Sequence, residues 1–169
     1  MTTHPDPTYP PLLAQGHTWE EMTVGSAFRT AARTITETDL ITFITWGGFT
    51  EALFLDASHA AGGGYTGRLV PGALVYCLGE GLVLQTNVLN GTGLAFMSMD
   101  LAIKRPAYVG DTIHVVVEVT QARAASTGQR GVVTTRNTIR NQRDEDVLVY
   151  TPVRLIRGRD YRERDNTAT

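Results

Sequence analysis

The chain has 169 residues, 42% of them apolar, with 17 acidic against 15 basic side chains, which suits one domain with a full core. A net charge of −2 excludes the strongly basic surface that nucleic acid or an anionic membrane would require. The single cysteine, Cys77, excludes an internal disulfide. The opening residues have neither a basic start nor an apolar run, so they read as no signal peptide, and a cytoplasmic setting is expected.

Residues 1–18, rich in proline and polar side chains, read as an N-terminal arm ahead of one domain over 19–158. His4 and His17 in that arm have no acidic or cysteine partners at ligand spacing, and no spacing elsewhere suggests a metal. From Ser26 to Thr36, β-branched residues alternate with Arg29 and Arg33, which predicts a half-exposed first strand. Thr36-Glu37-Thr38-Asp39 has the form of a capping box, opening a short helix with Leu40, Ile41 and Ile44 on its inner face. Trp46-Gly47-Gly48 ends it. A second small helix is expected around Ala57 to Ala61, and Gly62-Gly63-Gly64 links it flexibly to Tyr65.

The stretch from Val70 to Leu89 organises the rest. It predicts one helix from Gly72 to about Leu89, started by Pro71 and ended by Asn90-Gly91. That helix is apolar almost all round, with Glu80 its only charge, so it needs cover on most sides. It is too short and interrupted to span a bilayer. Cys77 within it is expected to be a small buried thiol. Beyond it the period changes to two: Gly93 to Lys104, Asp111 to Ala122, Gly131 to Asn141 and Asp146 to Gly158 read as strands. Turn residues at Ser126-Thr127-Gly128 and Asn141-Gln142-Arg143-Asp144 separate the later ones. Residues 159–169 form a charged tail that is expected to fray. The class is α+β: a curved antiparallel sheet wrapped around one long helix, the hotdog fold, against a lipocalin- or cystatin-like sheet as the rival. Exposed sheet edges make a homodimer the expected smallest unit.

From about Thr36 to Arg157 the residues resemble the MaoC-like hotdog family, which includes (R)-specific enoyl-CoA hydratases and dehydratases. The resemblance is carried by Glu37-Thr38-Asp39-Leu40 with Phe43, and by Asp56, Ala60 and Tyr65 through Arg68-Leu69-Val70-Pro71-Gly72. Phe96 to Asp111, Asn137 and Asn141-Gln142 continue it. The family's hydratases carry a motif of the type Gly-Asp-x-Asn-Pro-x-His-x-Asp, whose Asp and His activate water and move the α-proton of an acyl thioester. Counted without gaps from Asp56, the His position is Phe54, the Asp position Phe49, the Asn position Glu51 and the Pro position Ala52. Phenylalanine neither accepts nor delivers a proton, so the usual acid–base pair is replaced.

The resemblance implies an acyl-CoA or other acyl-thioester ligand, with no cofactor beyond the coenzyme A of the substrate. Three readings compete: a hydratase or dehydratase with a relocated base, a thioester hydrolase, and a non-catalytic binding or assembly subunit. Glu51 is a candidate stand-in base, set against an exposed loop carboxylate. Glu80 is the second candidate. It follows Gly72 by about 12 Å of helix, and some hotdog thioesterases carry a catalytic carboxylate at this spacing. Burial among apolar neighbours would raise its pKa, and Gly79 and Gly81 would let a substrate approach. The alternative is a partly exposed glutamate, or one pairing across a dimer with an arginine such as Arg29 or Arg33. The thioester carbonyl is assigned to the backbone N–H groups after Pro71, at Gly72 and Ala73, with Tyr65 and Arg68 beside them. Lys104, Arg105 and Arg68 are candidate phosphate partners. His59 is read as a surface partner of Asp56, His114 as a packing or solvent-facing residue, and Asp111 as the brace of a turn.

Overall fold

The computed structural model describes residues 14–126 and 128–162; His4, Thr127 and the end of the tail lie outside them. Two short strands, β1 (Ala27–Arg29) and β2 (Arg33–Thr34), occupy the predicted first strand. Thr30 interrupts it: its N–H donates to the Val115 carbonyl at 3.0 Å and its hydroxyl accepts from the Val115 N–H at 3.0 Å. Helix α1 (Glu37–Gly47) opens with the expected capping box at Thr36 and Asp39 and closes on Gly48 at φ 71°. Leu40 and Ile44 are buried, one turn apart. Ile41 lies off that face and is 44% exposed, which corrects its predicted inner position.

Helices α2 (Ala52–Leu55) and α3 (Ala57–Gly62) lead to β3 (Leu69–Val70), the helix α4 (Gly72–Gln85), β4 (Gly93–Ile103), β5 (Ala107–Tyr108), β6 (Thr112–Ala124), β7 (Arg130–Arg140) and β8 (Asp146–Arg157). The main sheet runs β1-β6-β7-β8-β4, antiparallel throughout, with β2 also on β6; β3 and β5 form a separate pair. Alternation sets its faces. Ile113, Val115 and Val117 of β6, Ile139 of β7 and Leu148 and Tyr150 of β8 join Leu74, Val75, Leu82 and Val83 of α4 in one core cluster. This is the α+β hotdog arrangement.

The helix differs from expectation in two ways. It ends at Gln85, not near Leu89, because the Thr86 hydroxyl turns back to the Val83 carbonyl at 2.6 Å and Asn87 takes φ 62°. Its cover is also one-sided. Ala73, Cys77 and Leu84 share an exposed face, so Cys77 is not the buried thiol expected. Gly79 makes the covered side possible: a Cβ there would stand 2.3 Å from Ile139 Cδ1.

Strand β4 is the edge. Its Ile103 and Leu101 pair with inward-facing Leu148 and Tyr150, yet remain 60% and 40% exposed, and Phe96 is 49% exposed. Strand β4 thus leaves apolar side chains uncovered along its edge, and α4 leaves an exposed face of its own. At the opposite ends of the chain, the last described arm residues dock rather than hang free: the Gly16 and His17 N–H groups donate to the Asn90 and Val88 carbonyls at 2.8 and 2.9 Å. The start of the tail is pinned likewise, with Tyr161 between Arg157 and Arg130 at 4.7 and 5.6 Å.

Asp111 braces its corner as expected, accepting from the Tyr108 N–H at 2.8 Å and the Gln142 side chain at 2.9 Å. His114 lies 3.7 Å from Asp144 with its side chain 14% exposed. Burial, then Arg29, hold its imidazole below the usual pKa, with Asp144 opposing and Arg140 adding to the effect. A folded pKa below the unfolded value means the contribution to stability is complete above about pH 6.5 and is lost as pH falls through the folded pKa. Urea denaturation at about pH 7.5 and about pH 5.5 should show the wild type losing more stability on acidification than His114→Asn. Equal losses would remove His114 from the account.

Candidate functional site

A cavity of about 340 Å³ opens beside the N-terminus of α4, walled by Phe54, Tyr65, Gly72, Val75, Ile103 and Leu148. Lys104 and Arg105 also line it, and Arg105 donates to the Asp146 carbonyl at 3.0 Å. Pro71 stands at the N-cap with extended ψ of 135° and no side chain caps this end. The first N–H groups of the helix, from Gly72 and Ala73, have no acceptor inside it. They carry the positive end of its dipole toward the cavity mouth. Gly72 lets Ile103 lie close, since a Cβ there would stand 2.3 Å from Ile103 Cδ1 and push that side chain aside. The glycine thus admits a neighbouring side chain.

Phe54 and Tyr65 make part of the cavity wall aromatic, and two further phenylalanines pack behind Phe54. Phe49 sits 5.0 Å from Phe43 and 6.4 Å from Phe54, ring centre to ring centre, and all three pack against the core. Local signals fold this segment. Glu51 occupies the N-cap of α2, Asp56 caps α3 by accepting from the Ser58 N–H at 2.8 Å, and Gly64 turns at φ 87°. Asp56 is therefore engaged with backbone, and His59 is exposed without pairing to it. Arg68 staples the segment down, bonding Glu37 at 3.1 Å and donating to the Phe54 carbonyl. It does not line the cavity, and neither does Glu51, which is exposed. Of the predicted binding residues, Tyr65 and Gly72 line the space, Pro71 is buried at its rim and Ala73 is exposed beside it. No lining side chain is a carboxylate or a histidine. Among the described residues, no group of three His, Cys, Asp or Glu is placed to hold a metal ion.

Glu80 lies two turns further along α4, away from that lining. Tyr150 donates to its Oε2 at 2.8 Å and Arg154 to its Oε1 at 2.5 Å. Its surroundings are therefore polar, not the apolar shell expected, and its arginine is Arg154 of the same chain. Arg33 pairs with Asp39 instead. The flanking glycines differ from each other: Gly79 makes room for Ile139, while nothing lies within 4 Å of a Cβ at Gly81. Tyr150 is fully buried; burial first, and Glu80 next, push its hydroxyl far above the usual phenol range, so it stays a donor. Arg154 also lies over the Phe96 ring at 5.4 Å. The Glu80–Arg154 contact, which joins residues 74 apart in the chain, carried no local sequence signal.

The family model described as FAS1-like, dehydratase domain region, matches residues 22–149. No curated protein matches the sequence. Among solved structures, the monoamine oxidase regulatory protein from Archaeoglobus fulgius is similar at 29% identity and TM-score 0.77, over 88% of this chain and 99% of that one. A putative MaoC domain protein dehydratase from Chloroflexus aurantiacus J-10-fl is similar at 25% identity and TM-score 0.81, over 91% of this chain and 44% of that one. A conserved hypothetical protein from Mycobacterium tuberculosis, described as a double hotdog fold, shares 22% identity at TM-score 0.74, over 88% of this chain and 47% of that one. The chain spans less than half of the latter two. No helix among the described residues is long and apolar enough to cross a membrane.

The ion pair makes a stability prediction. With side chains 8% and 15% exposed, Arg154 and Glu80 are a largely desolvated couple. Arg154→Met strands the carboxylate and should cost about 3 kcal/mol in urea denaturation. Arg154→Met with Glu80→Leu should recover more than half of that loss. Equal stability of single variant and wild type would mean the pair is open to water.

Proposed function

This chain belongs to the FAS1-like dehydratase-region family, within the MaoC-like hotdog dehydratases, and from that premise we propose that it is an acyl-thioester-binding unit of a hydratase or dehydratase whose acid–base pair comes from another unit. The observation that carries this is the cavity itself: it sits at the open N-terminus of α4, yet phenylalanines stand where the family's proton-transfer residues are expected. Hydration adds a water hydroxyl to Cβ of an enoyl thioester and a proton to Cα, and dehydration reverses both steps. Each direction polarises the thioester carbonyl, and the α4 N–H groups suit that task. Each also needs a group that takes and returns a proton, and no side chain lining this cavity has one at neutral pH in a suitable form. Lys104 and Arg105 suit the phosphates of coenzyme A or of a carrier-linked pantetheine. No further cofactor is required by this reading.

The free edge of β4, with its exposed apolar side chains, is the natural seat of a second hotdog unit. A homodimer, the assembly expected from the sequence, would cover that edge but place phenylalanine in both sites. Pairing with a homologous unit that keeps the acid–base pair answers both needs. The spans of 44% and 47% of two similar structures support such a two-unit arrangement. Thioester hydrolysis with Glu80 as base has less support, since both carboxylate oxygens already accept strong donors. Glu51 as a stand-in base is disfavoured by its place outside the cavity lining.

The isolated chain should bind a saturated short acyl-CoA in a calorimeter while hydrating a short enoyl-CoA no faster than buffer. Phe49→Asp with Phe54→His should raise hydration at least ~10²-fold over the wild type. Efficient hydration by the unmodified chain alone would overturn the proposal, as would release of free thiol from saturated acyl-CoA that Glu80→Gln abolishes.

A further inference from the structure

Beyond the cavity, α4, β8 and β4 continue together in layers. Ile103 of β4 faces Leu148 of β8 across the sheet, and both line the hollow with Gly72. One step along, Leu101 faces Tyr150, and Tyr76, one helical turn after Gly72, sets its ring against Tyr150 at 5.2 Å and 88°. Further along the strands Phe96 stands opposite Arg154, and a further helical turn brings Glu80. The first layer is apolar and hollow, the second is filled by rings, and the third is charged.

Resting on the acyl-thioester reading above, we propose that the Tyr76–Tyr150 pair is the end stop of the acyl channel and selects thioesters with short acyl chains. Glu80 and Arg154 are the positioning residues that hold it shut. The Tyr150 ring is 0% exposed, and its hydroxyl is tied to Glu80 at 2.8 Å. Glu80 is tied in turn to Arg154 at 2.5 Å, and Arg154 lies over Phe96. These contacts tie the series together, with the Tyr150 hydroxyl and the Arg154 guanidinium both anchored on Glu80. A longer apolar tail would first meet two aromatic rings in edge-on contact. Behind them it would meet an ion pair already poor in water, which an alkyl chain can only desolvate further. The stop lies about one helical turn, ~5.4 Å, beyond the helix start, so acyl chains on the order of four to six carbons reach it.

The test is calorimetric titration of the full chain with a homologous series of saturated acyl-CoAs from butyryl to dodecanoyl. In an open apolar channel each methylene contributes ~0.8 kcal/mol, about a fourfold gain in affinity. For the wild type that gain should hold only to the stop and then vanish or reverse. Tyr76→Ala should carry the rise onward by two or more carbons, and Tyr76→Leu, which keeps the helix face apolar, by fewer. Tyr150→Phe keeps the ring but frees it from Glu80, and should soften the break. A wild-type series that keeps rising to dodecanoyl, or a break unmoved in folded Tyr76→Ala, overturns the end stop and leaves the acyl-thioester reading intact. Absence of binding at every length, with circular dichroism showing a folded protein, overturns both.

Discussion

The architecture depends on keeping one nearly uncharged helix out of water. Leu74, Val75, Leu82 and Val83 of α4 are buried against the sheet, and the sheet can close on them only because Gly79 has no side chain. An ordinary residue there would hold the helix away from Ile139 and open voids along the whole contact, and close-packed interiors tolerate few of these. The same approach brings Glu80 within reach of Tyr150 and Arg154. The apolar contact and the charged one are thus two results of one spacing. The start of the helix repeats the device, with Gly72 admitting Ile103 and leaving its backbone donors beside a hollow.

The chemistry of that hollow is defined by what replaces the proton-transfer groups. Phe54 lines the hollow as an apolar wall, and Phe49 and Phe43 pack behind it against the core. An apolar wall strengthens any hydrogen bond from the helix start to a bound carbonyl, because local dielectric falls as water leaves. It does nothing for proton transfer. On the proposed reading, binding and polarisation fall to this chain and proton transfer to a partner unit.

Much of this was legible in the sequence, where the signal was local or periodic. The capping box at Thr36 and Asp39, the alternation that marks β4 and β6 to β8, and Asp111 at its corner each depend on residues near in the chain or near across one turn. What escaped was tertiary. Cys77 reads as buried because its neighbours are apolar, but the sheet covers only one side of the helix. Gly79 and Gly81 look alike in sequence, yet one is a contact and the other faces open space. The Glu80–Arg154 contact joins residues 74 apart, so nothing near Glu80 in the chain announces it.

The open flank of β4 has a consequence for how such a chain is made in the cell. It presents eleven residues of strand carrying one charge, Asp100, beside exposed Phe96, Met97, Leu101 and Ile103. An edge of that kind accepts other strands with little discrimination. Newly synthesised copies whose β4 stays uncovered are exposed to clumping, chaperone capture and degradation. If a second unit covers this strand, as proposed above, the supply of the two would have to be matched. Encoding both in one polypeptide removes the problem altogether, since a tethered complement arrives at high effective concentration every time.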